Sequence, residues 1–466
     1  MNKYSKLAKN TSIFFIANFG SKILTFLLVR FYTEMLSPAE YGIIDLLSTT
    51  ASLAFPIVTL CITEAALRFS IDDTDNRGKI LTNGLLITML GNLAFVLTTP
   101  IFLQIELFAE NVVWLYALTL SNSLYAIITH FSRGIGKTKL FAGAGLLHTV
   151  LQIGLNLLLL VAFPLGIKGY LIASVLANLL SSAFVFIRGR LGTYIIRNID
   201  KKYLRLMLVY SIPLIPNSVF WWMMQSANRY IITYAISETA NGLYAVANKI
   251  PTLITTISGI FFQAWQISSV EEAESEQKSH FYTKVFQALS MVLILATSFL
   301  MVVLQPVYRL LTEASYYEGW TCTPFLLCAM VYSCYSSFLG TNYVAMKKTN
   351  GVFFTTILGA VVNMGLNVLL IGPMGIEGTA LATCTAFFVT WVARIIGTRR
   401  FVKIRYAVVT FWIPSALIVA QAALLTFGVY SILIQCAFFV VVLLLYTKEI
   451  VRYLRIGWQW LAHKRK

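Results

Sequence analysis

The sequence predicts an all-α polytopic membrane protein with about 14 transmembrane helices. Apolar runs of about 18 or more residues recur from end to end. Hydrophobic residues make up 58% of the 466-residue chain while only 12% are charged, and mean hydropathy is +0.76. A soluble enzyme would carry roughly a quarter of its residues charged, and an outer-membrane barrel would read as segments of about ten residues with alternating polarity. Both are excluded.

The runs place the first six spans at about 11–33, 41–66, 80–103, 112–132, 140–163 and 168–187. Lys3, Lys6 and Lys9 before the first run imitate a signal peptide, but Lys22 interrupts the run and no small-x-small cleavage site follows, so it reads as a retained helix. A cationic loop with Arg188, Arg190, Arg197, Lys201, Lys202 and Arg205 precedes six more spans, at about 207–236, 241–267, 284–304, 321–345, 351–372 and 376–397. Two last runs, about 407–427 and 430–447, lead to a basic tail. The expected organisation is a six-helix lobe over 1–190, a basic linker over 191–206, a second six-helix lobe over 207–398, two further spans within 407–447 and a tail over 448–466.

Net charge is +17. The basic residues fall in short clusters between spans, which is the pattern that fixes topology and argues against a nucleic-acid partner. Of the 36 Lys and Arg, all but Lys22, Arg30, Lys168, Arg229, Lys249 and Arg309 fall in the even-numbered connections and the termini, so both termini are expected to be cytoplasmic. Lys168 and Arg309 lie in outside loops, leaving Lys22, Arg30, Arg229 and Lys249 at membrane depth. The cysteines lie in apolar spans without a CxxC pair and read as buried hydrophobes, and the four scattered histidines lack metal-ligand spacing, so no metal site is expected.

The two halves repeat at an offset of about 200 residues, as duplicated transporters do. Arg30, Ser37 and Gly42 answer to Arg229, Ser237 and Gly242. Lys137-Thr138 answers to Lys348-Thr349. Gly154-Leu155-Asn156 with Pro164-x-Gly166-Ile167-x-Gly169 returns as Gly365-Leu366-Asn367 with Pro373-x-Gly375-Ile376-x-Gly378. Each repeat has an even number of spans, so the lobes should be related by a pseudo-two-fold axis along the membrane normal, facing each other across a cavity.

A helix facing water on one side carries polar residues at intervals of three and four. In the eighth span Asn241, Asn248, Thr252, Thr255, Gly259, Gln263 and Gln266 share such a face. In the second span Asp45, Thr49, Ser52, Pro56, Thr59 and Thr63 form a comparable line. Helix–helix packing is the alternative reading of both stripes. Asn18, Lys22 and Thr25 share a face of the first span, and Ser218, Trp222, Gln225 and Arg229 align on the seventh after a bend expected at Pro213 and Pro216.

An intramembrane Lys or Arg costs several kcal/mol unless hydrated or paired, so by default it faces the interior. Lys22, Arg30, Arg229 and Lys249 against Asp45 and Glu64 leave that interior positive, suited to an anionic headgroup. For each cation a structural ion pair is the alternative, and for Arg30 snorkelling is another. Asp45 is either a site of H⁺ or Na⁺ coupling or the partner of Lys22, Arg30 or Lys249. Glu64 and Arg68, four apart, read as an intrahelical pair. Gly134-Ile135-Gly136-Lys137-Thr138 lacks the first glycine of a phosphate loop and reads as a cationic turn. With no nucleotide motif, no cofactor is expected beyond a coupling ion. The segment with Lys448, Arg452, Arg455, Trp458 and Trp460 reads as a helix on anionic membrane lipid.

The six, six and two arrangement, Ser211–Trp222 (SIPLIPNSVFWW) before Asn228-Arg229-Tyr230, and Ser237–Ile250 (SETANGLYAVANKI) resemble Wzx-type oligosaccharide flippases of the MATE-like multidrug, oligosaccharidyl-lipid and polysaccharide exporter superfamily. The resemblance implies a bacterial inner-membrane protein, not an enzyme. It implies movement of an undecaprenyl-pyrophosphate-linked oligosaccharide from the cytoplasmic to the periplasmic leaflet for O-antigen or capsule synthesis, by a monomer working beside glycosyltransferases and a polymerase. A MATE-type multidrug antiporter would share the architecture but take mostly cationic compounds, which an acidic pocket would suit. A lipid II flippase fits the charge equally well. A polysaccharide polymerase or ligase would need a long outside loop, and the outside connections are short.

Overall fold

A computed structural model describes residues 28–197, 199–271, 277–346, 350–428 and 431–464. The chain divides into two compact units, which among the described residues are 28–245 and 246–464. Every regular element among them is helical. Eleven helices there are long and apolar enough to cross a membrane. One of them, Asn350–Thr398, joins two helices at Gly375. The expected first span lies mostly outside the described residues. The expected eighth, 241–267, is a broken pair, Glu238–Ala247 and Lys249–Glu271, that is not among the eleven.

The first unit opens with α1 (Pro38–Val58). Ser37 caps it by accepting from the Glu40 amide, while the Glu40 carboxylate accepts from the Ser37 amide. This capping box, with proline in the first turn, fixes where the helix begins. The sequence predicts one helix over 41–66, but α1 stops at Val58. Pro56 lies in its last turn, Leu60 and Cys61 turn left-handed at φ 50° and 51°, and α2 (Ile62–Asp72) resumes. Neither is a glycine, so each residue costs about 1–2 kcal/mol.

Three long helices follow: α3 (Arg77–Val96), α4 (Val112–Gly134) and α5 (Thr138–Leu157). The turn between α4 and α5 holds Gly136 at φ 86°, and Lys137 donates to the Gly189 carbonyl that ends α6 (Gly166–Arg188). One core layer gathers Ile62, Leu81, Ile127, Phe131, Val185 and Met207, and another Leu46, Leu47, Phe108, Leu115, Leu118 and Leu171. The expected bend at Pro213 and Pro216 is present. α7 (Lys201–Ser211) gives way to a 3₁₀ turn at Ile212–Leu214 before α8 (Ile215–Ser226) and α9 (Asn228–Ala235). These three helices, and the start of α10 (Glu238–Ala247), belong to this unit.

The second unit contains α11 (Lys249–Glu271), α12 (Lys278–Val302), α13 (Leu304–Leu311), α14 (Thr323–Ala345), α15 (Asn350–Thr398), α16 (Ile413–Phe427) and α17 (Ile432–Lys464). The span that includes α14 is its central stave, 89% buried, whereas the span in α17 is 17% buried and lies at the periphery. Trp265 stacks on Phe338, and Tyr335 and Phe411 pack on Trp391. The Ser298 hydroxyl donates to the Gln421 amide oxygen, tying α16 to α12.

The predicted repeat has structural counterparts. Gly166 and Gly375 adopt φ values of 53° and 56°, and each precedes a glycine that lies against a carbonyl. A Cβ on Gly169 would stand 2.9 Å from the Leu159 oxygen, and one on Gly378 would stand 2.4 Å from the Leu370 oxygen. Asn156 and Asn367 are both fully buried. The first glycine of each pair meets the positive φ and the second the close approach.

Candidate functional site

The site is built in the first unit where α1 meets α8, α9 and the start of α10. Ser237 accepts from the Ala240 amide as Ser37 does from Glu40, so both repeats start the matching helix with the same cap. The two helix starts then cross at Gly42 and Gly242. A Cβ on Gly42 would stand 2.0 Å from the Glu238 oxygen, and one on Gly242 would stand 1.8 Å from the Pro38 oxygen. The contacts are reciprocal, as expected where two copies of one repeat meet. Asn241, which sequence places on a polar stripe, is buried and donates to the Gly42 carbonyl at 2.9 Å. It is a packing residue.

One turn beyond the crossing, Arg229 Nε donates to Asp45 Oδ2 at 2.7 Å, and Nη1 donates to the Gln225 carbonyl at 3.0 Å. The ion pair is nearly enclosed, with side-chain exposures of 13% and 15%. Below it the Trp222 indole donates to the Thr49 carbonyl and the Ser52 hydroxyl, at 3.1 and 3.0 Å. The Tyr230 hydroxyl meets Thr50 at 2.6 Å, and its ring lies edge-on to Trp222. Ser218, one turn lower still, bonds the Leu214 carbonyl. Asp45 and Ser52 on α1, Trp222 and Gln225 on α8 and Arg229 on α9 therefore form one group. The partner of Asp45 is Arg229, which sequence did not pair with it.

Other expected residues fall elsewhere. Asn18 and Lys22 lie outside the described residues. Arg30 pairs with Glu34 one turn away at 2.6 Å, both half-exposed. Thr49 is buried, and so are Pro56, Thr59 and Thr63, so the open face of α1 runs through Asp45, Ser48 and Ser52. Asn248, Lys249 and Thr252 belong to the second unit, at the break between α10 and α11. There Thr252 is exposed and bonds the Asn248 carbonyl. The expected Glu64–Arg68 pair does not form. Arg68 pairs with Asp72, and Glu64 lies 3.9 Å from His130 Nδ1. The i,i+4 spacing offered Arg68 an acid on either side, and the pair forms on the side toward the helix end.

One cation was missed. Arg394, which sequence counts with the cytoplasmic basic residues although it falls just inside the expected span 376–397, is 2% exposed inside the second unit. It donates to the Ser336 carbonyl at 2.8 Å and to the Thr355 and Thr356 hydroxyls at 3.1 Å. Among the described residues no carboxylate pairs with it. The available signal was its position one turn inside the end of α15, with Thr355 and Thr356 on the same long element.

Residues 7–266 match the polysaccharide biosynthesis protein family. No curated protein matches the sequence. Among solved structures the fold is similar to a lipid II flippase MurJ in an inward closed conformation, with TM-score 0.68 and 16% identity over 95% of this chain and 99% of that one. It is also similar to a MATE family multidrug resistance transporter of the MOP superfamily, with TM-score 0.60 and 14% identity over 89% and 94%. A MOP superfamily transporter from Pyrococcus furiosus, described as having a binding pocket of reverse polarity, matches with TM-score 0.60 and 14% identity over 90% and 97%. Matched over more than half its length and carrying a MOP-type helical fold throughout, the chain belongs to the polysaccharide biosynthesis protein family.

Proposed function

We propose that this chain is a flippase that moves an undecaprenyl-pyrophosphate-linked oligosaccharide from the cytoplasmic to the periplasmic leaflet of a bacterial inner membrane, supplying O-antigen or capsule synthesis. The observation that carries the reading is the family match, set on a fold shared with a lipid II flippase. With both termini cytoplasmic, as the distribution of basic residues favours, the Gly42–Gly242 crossing and the Asp45–Arg229 pair lie toward the periplasmic side.

In this reading the pair is a latch. Arg229 held by Asp45 is neutralised, and arginine released from it presents a guanidinium fork matched to pyrophosphate oxygens. Uptake of H⁺ or Na⁺ by Asp45 releases Arg229, which couples headgroup binding to the ion. Ser52, Ser218 and Gln225, with the face of Trp222, supply the polar and aromatic surface a sugar chain uses. A membrane potential negative inside assists outward movement of the anion by roughly 2.3 kcal/mol per charge per 100 mV. The protein works as a monomer beside glycosyltransferases and a polymerase.

The test is deletion of the gene in its source organism, with assay of undecaprenyl-linked glycans and surface polymer. Accumulation of the completed lipid-linked unit with loss of polymer, restored by wild type but not by Arg229→Ala, is expected. Normal polymer with altered drug susceptibility would favour the multidrug antiporter instead.

A further inference from the structure

Helix α7 presents two surfaces that the latch does not use. Tyr203, Met207 and Ser211, four apart, face the core of the first unit. The Asp200 carboxylate caps the helix at the Tyr203 amide and pairs with Lys79 at 2.9 Å, and Asn83 donates to the Asp200 carbonyl. Tyr203 donates to Asp73, and Phe69 packs edge-on against Tyr203 and Tyr210. The helix is thus moored on its inner side.

The outer side is cationic at its first turns and apolar beyond. Lys201, Lys202 and Arg205 are exposed and form no ion pair among the described residues. Leu206, Val209 and Ile212 are exposed next to them, Val209 at 66%. Two open clefts of about 440 and 460 Å³ flank the helix and share Arg205 and Val209. Their walls run from the basic residues onto the apolar ones. Such a surface takes an amphiphile with an anionic head and a hydrocarbon chain, and a membrane-spanning helix end meets one in the adjoining leaflet.

We propose that the α7 clefts are a binding site for an anionic glycerophospholipid, its phosphate beside Lys202 and Arg205 and an acyl chain along Leu206, Val209 and Ile212. The ligand differs from the transported substrate. Occupancy rests on charge and shape at α7, so it stands or falls apart from the flippase reading.

The test measures binding of fluorescent phosphatidylglycerol and phosphatidylcholine to the purified full-length protein in neutral detergent. Wild type should prefer phosphatidylglycerol, and K202Q/R205Q should weaken that binding about 30-fold, at roughly a few-fold to tenfold per basic residue, while leaving phosphatidylcholine unchanged. V209W, which fills both clefts without altering charge, should weaken both lipids. K139Q, on the α4–α5 side of the unit, should leave the preference intact. A folded K202Q/R205Q protein that keeps the preference would overturn the proposal, as would equal binding of the two lipids by wild type. Displacement of phosphatidylglycerol by undecaprenyl phosphate at lower concentration would also overturn it, assigning the clefts to the carrier.

Discussion

Replacing either crossing glycine by alanine should pry apart the starts of α1 and α10. The Cβ of Gly42→Ala would lie 2.0 Å from the Glu238 oxygen and that of Gly242→Ala 1.8 Å from the Pro38 oxygen, whereas ordinary contact begins at 3.4 Å. The backbones must therefore separate by about 1.4 to 1.6 Å. The Asn241 amide, now 2.9 Å from the Gly42 carbonyl, would be drawn beyond hydrogen-bond reach. Overpacking of this kind costs about 1–3 kcal/mol, and a buried amide left unpaired costs about 1–3 kcal/mol more. Each single variant should lose about 2–6 kcal/mol of unfolding free energy in mixed micelles. One separation makes room for both methyl groups, so the double variant should cost little more than the worse single. Singles within about 0.5 kcal/mol of wild type, or a double equal to the sum of the singles, would refute the reciprocal crossing.

Arg394→Lys should destabilise the second unit by about 1.5–3 kcal/mol, because an ammonium cannot span the Ser336 carbonyl and the Thr355 and Thr356 hydroxyls as the guanidinium does; thermal unfolding checks it, and an unchanged midpoint would contradict it. Gly166→Ala and Gly375→Ala should each cost about 1–3 kcal/mol, since both sites have positive φ and Gly375, at ψ −138°, lies where essentially only glycine goes. Gly143→Ala, in a helix with open space around the added methyl, should be neutral or stabilising by the same measurement. The Tyr203 amide and Lys79 hold Asp200 below the usual carboxylate range, so its contribution to stability is present above its ordinary pKa and lost as pH falls through the depressed one. Wild type should therefore melt above Asp200→Asn at neutral pH, and the gap should close in acid; a gap that persists there would count against the mooring of α7.

The all-helical membrane class and the repeated glycine motif were legible because each leaves a periodic or compositional mark. Gly166 and Gly375 show the strength of that mark, since a motif repeated in sequence reappears with a positive φ at the same position. The bend at Pro213 was legible because proline imposes it locally. The Asp45–Arg229 pair was not, because its partners stand 184 residues apart and no helical spacing relates them. The polar stripes located the right faces only in part. Asn241 and Thr59 have the same spacing as Ser52, and whether such a residue packs or opens depends on what crosses it. The break at Leu60 and Cys61 had no glycine to announce it. Arg394 was misassigned because distance from a helix end says nothing of a neighbouring helix that covers it.

The most direct test of the central claim is flipping by the purified protein in liposomes. A fluorescent undecaprenyl-pyrophosphate oligosaccharide would be placed in both leaflets, and the fraction open to a membrane-impermeant quencher followed in time. The account predicts that wild type exposes the inner-leaflet pool and that Arg229→Ala slows this at least tenfold while remaining folded. Equal rates for Arg229→Ala and wild type would contradict the latch, and no flipping by wild type above protein-free liposomes would contradict the flippase itself.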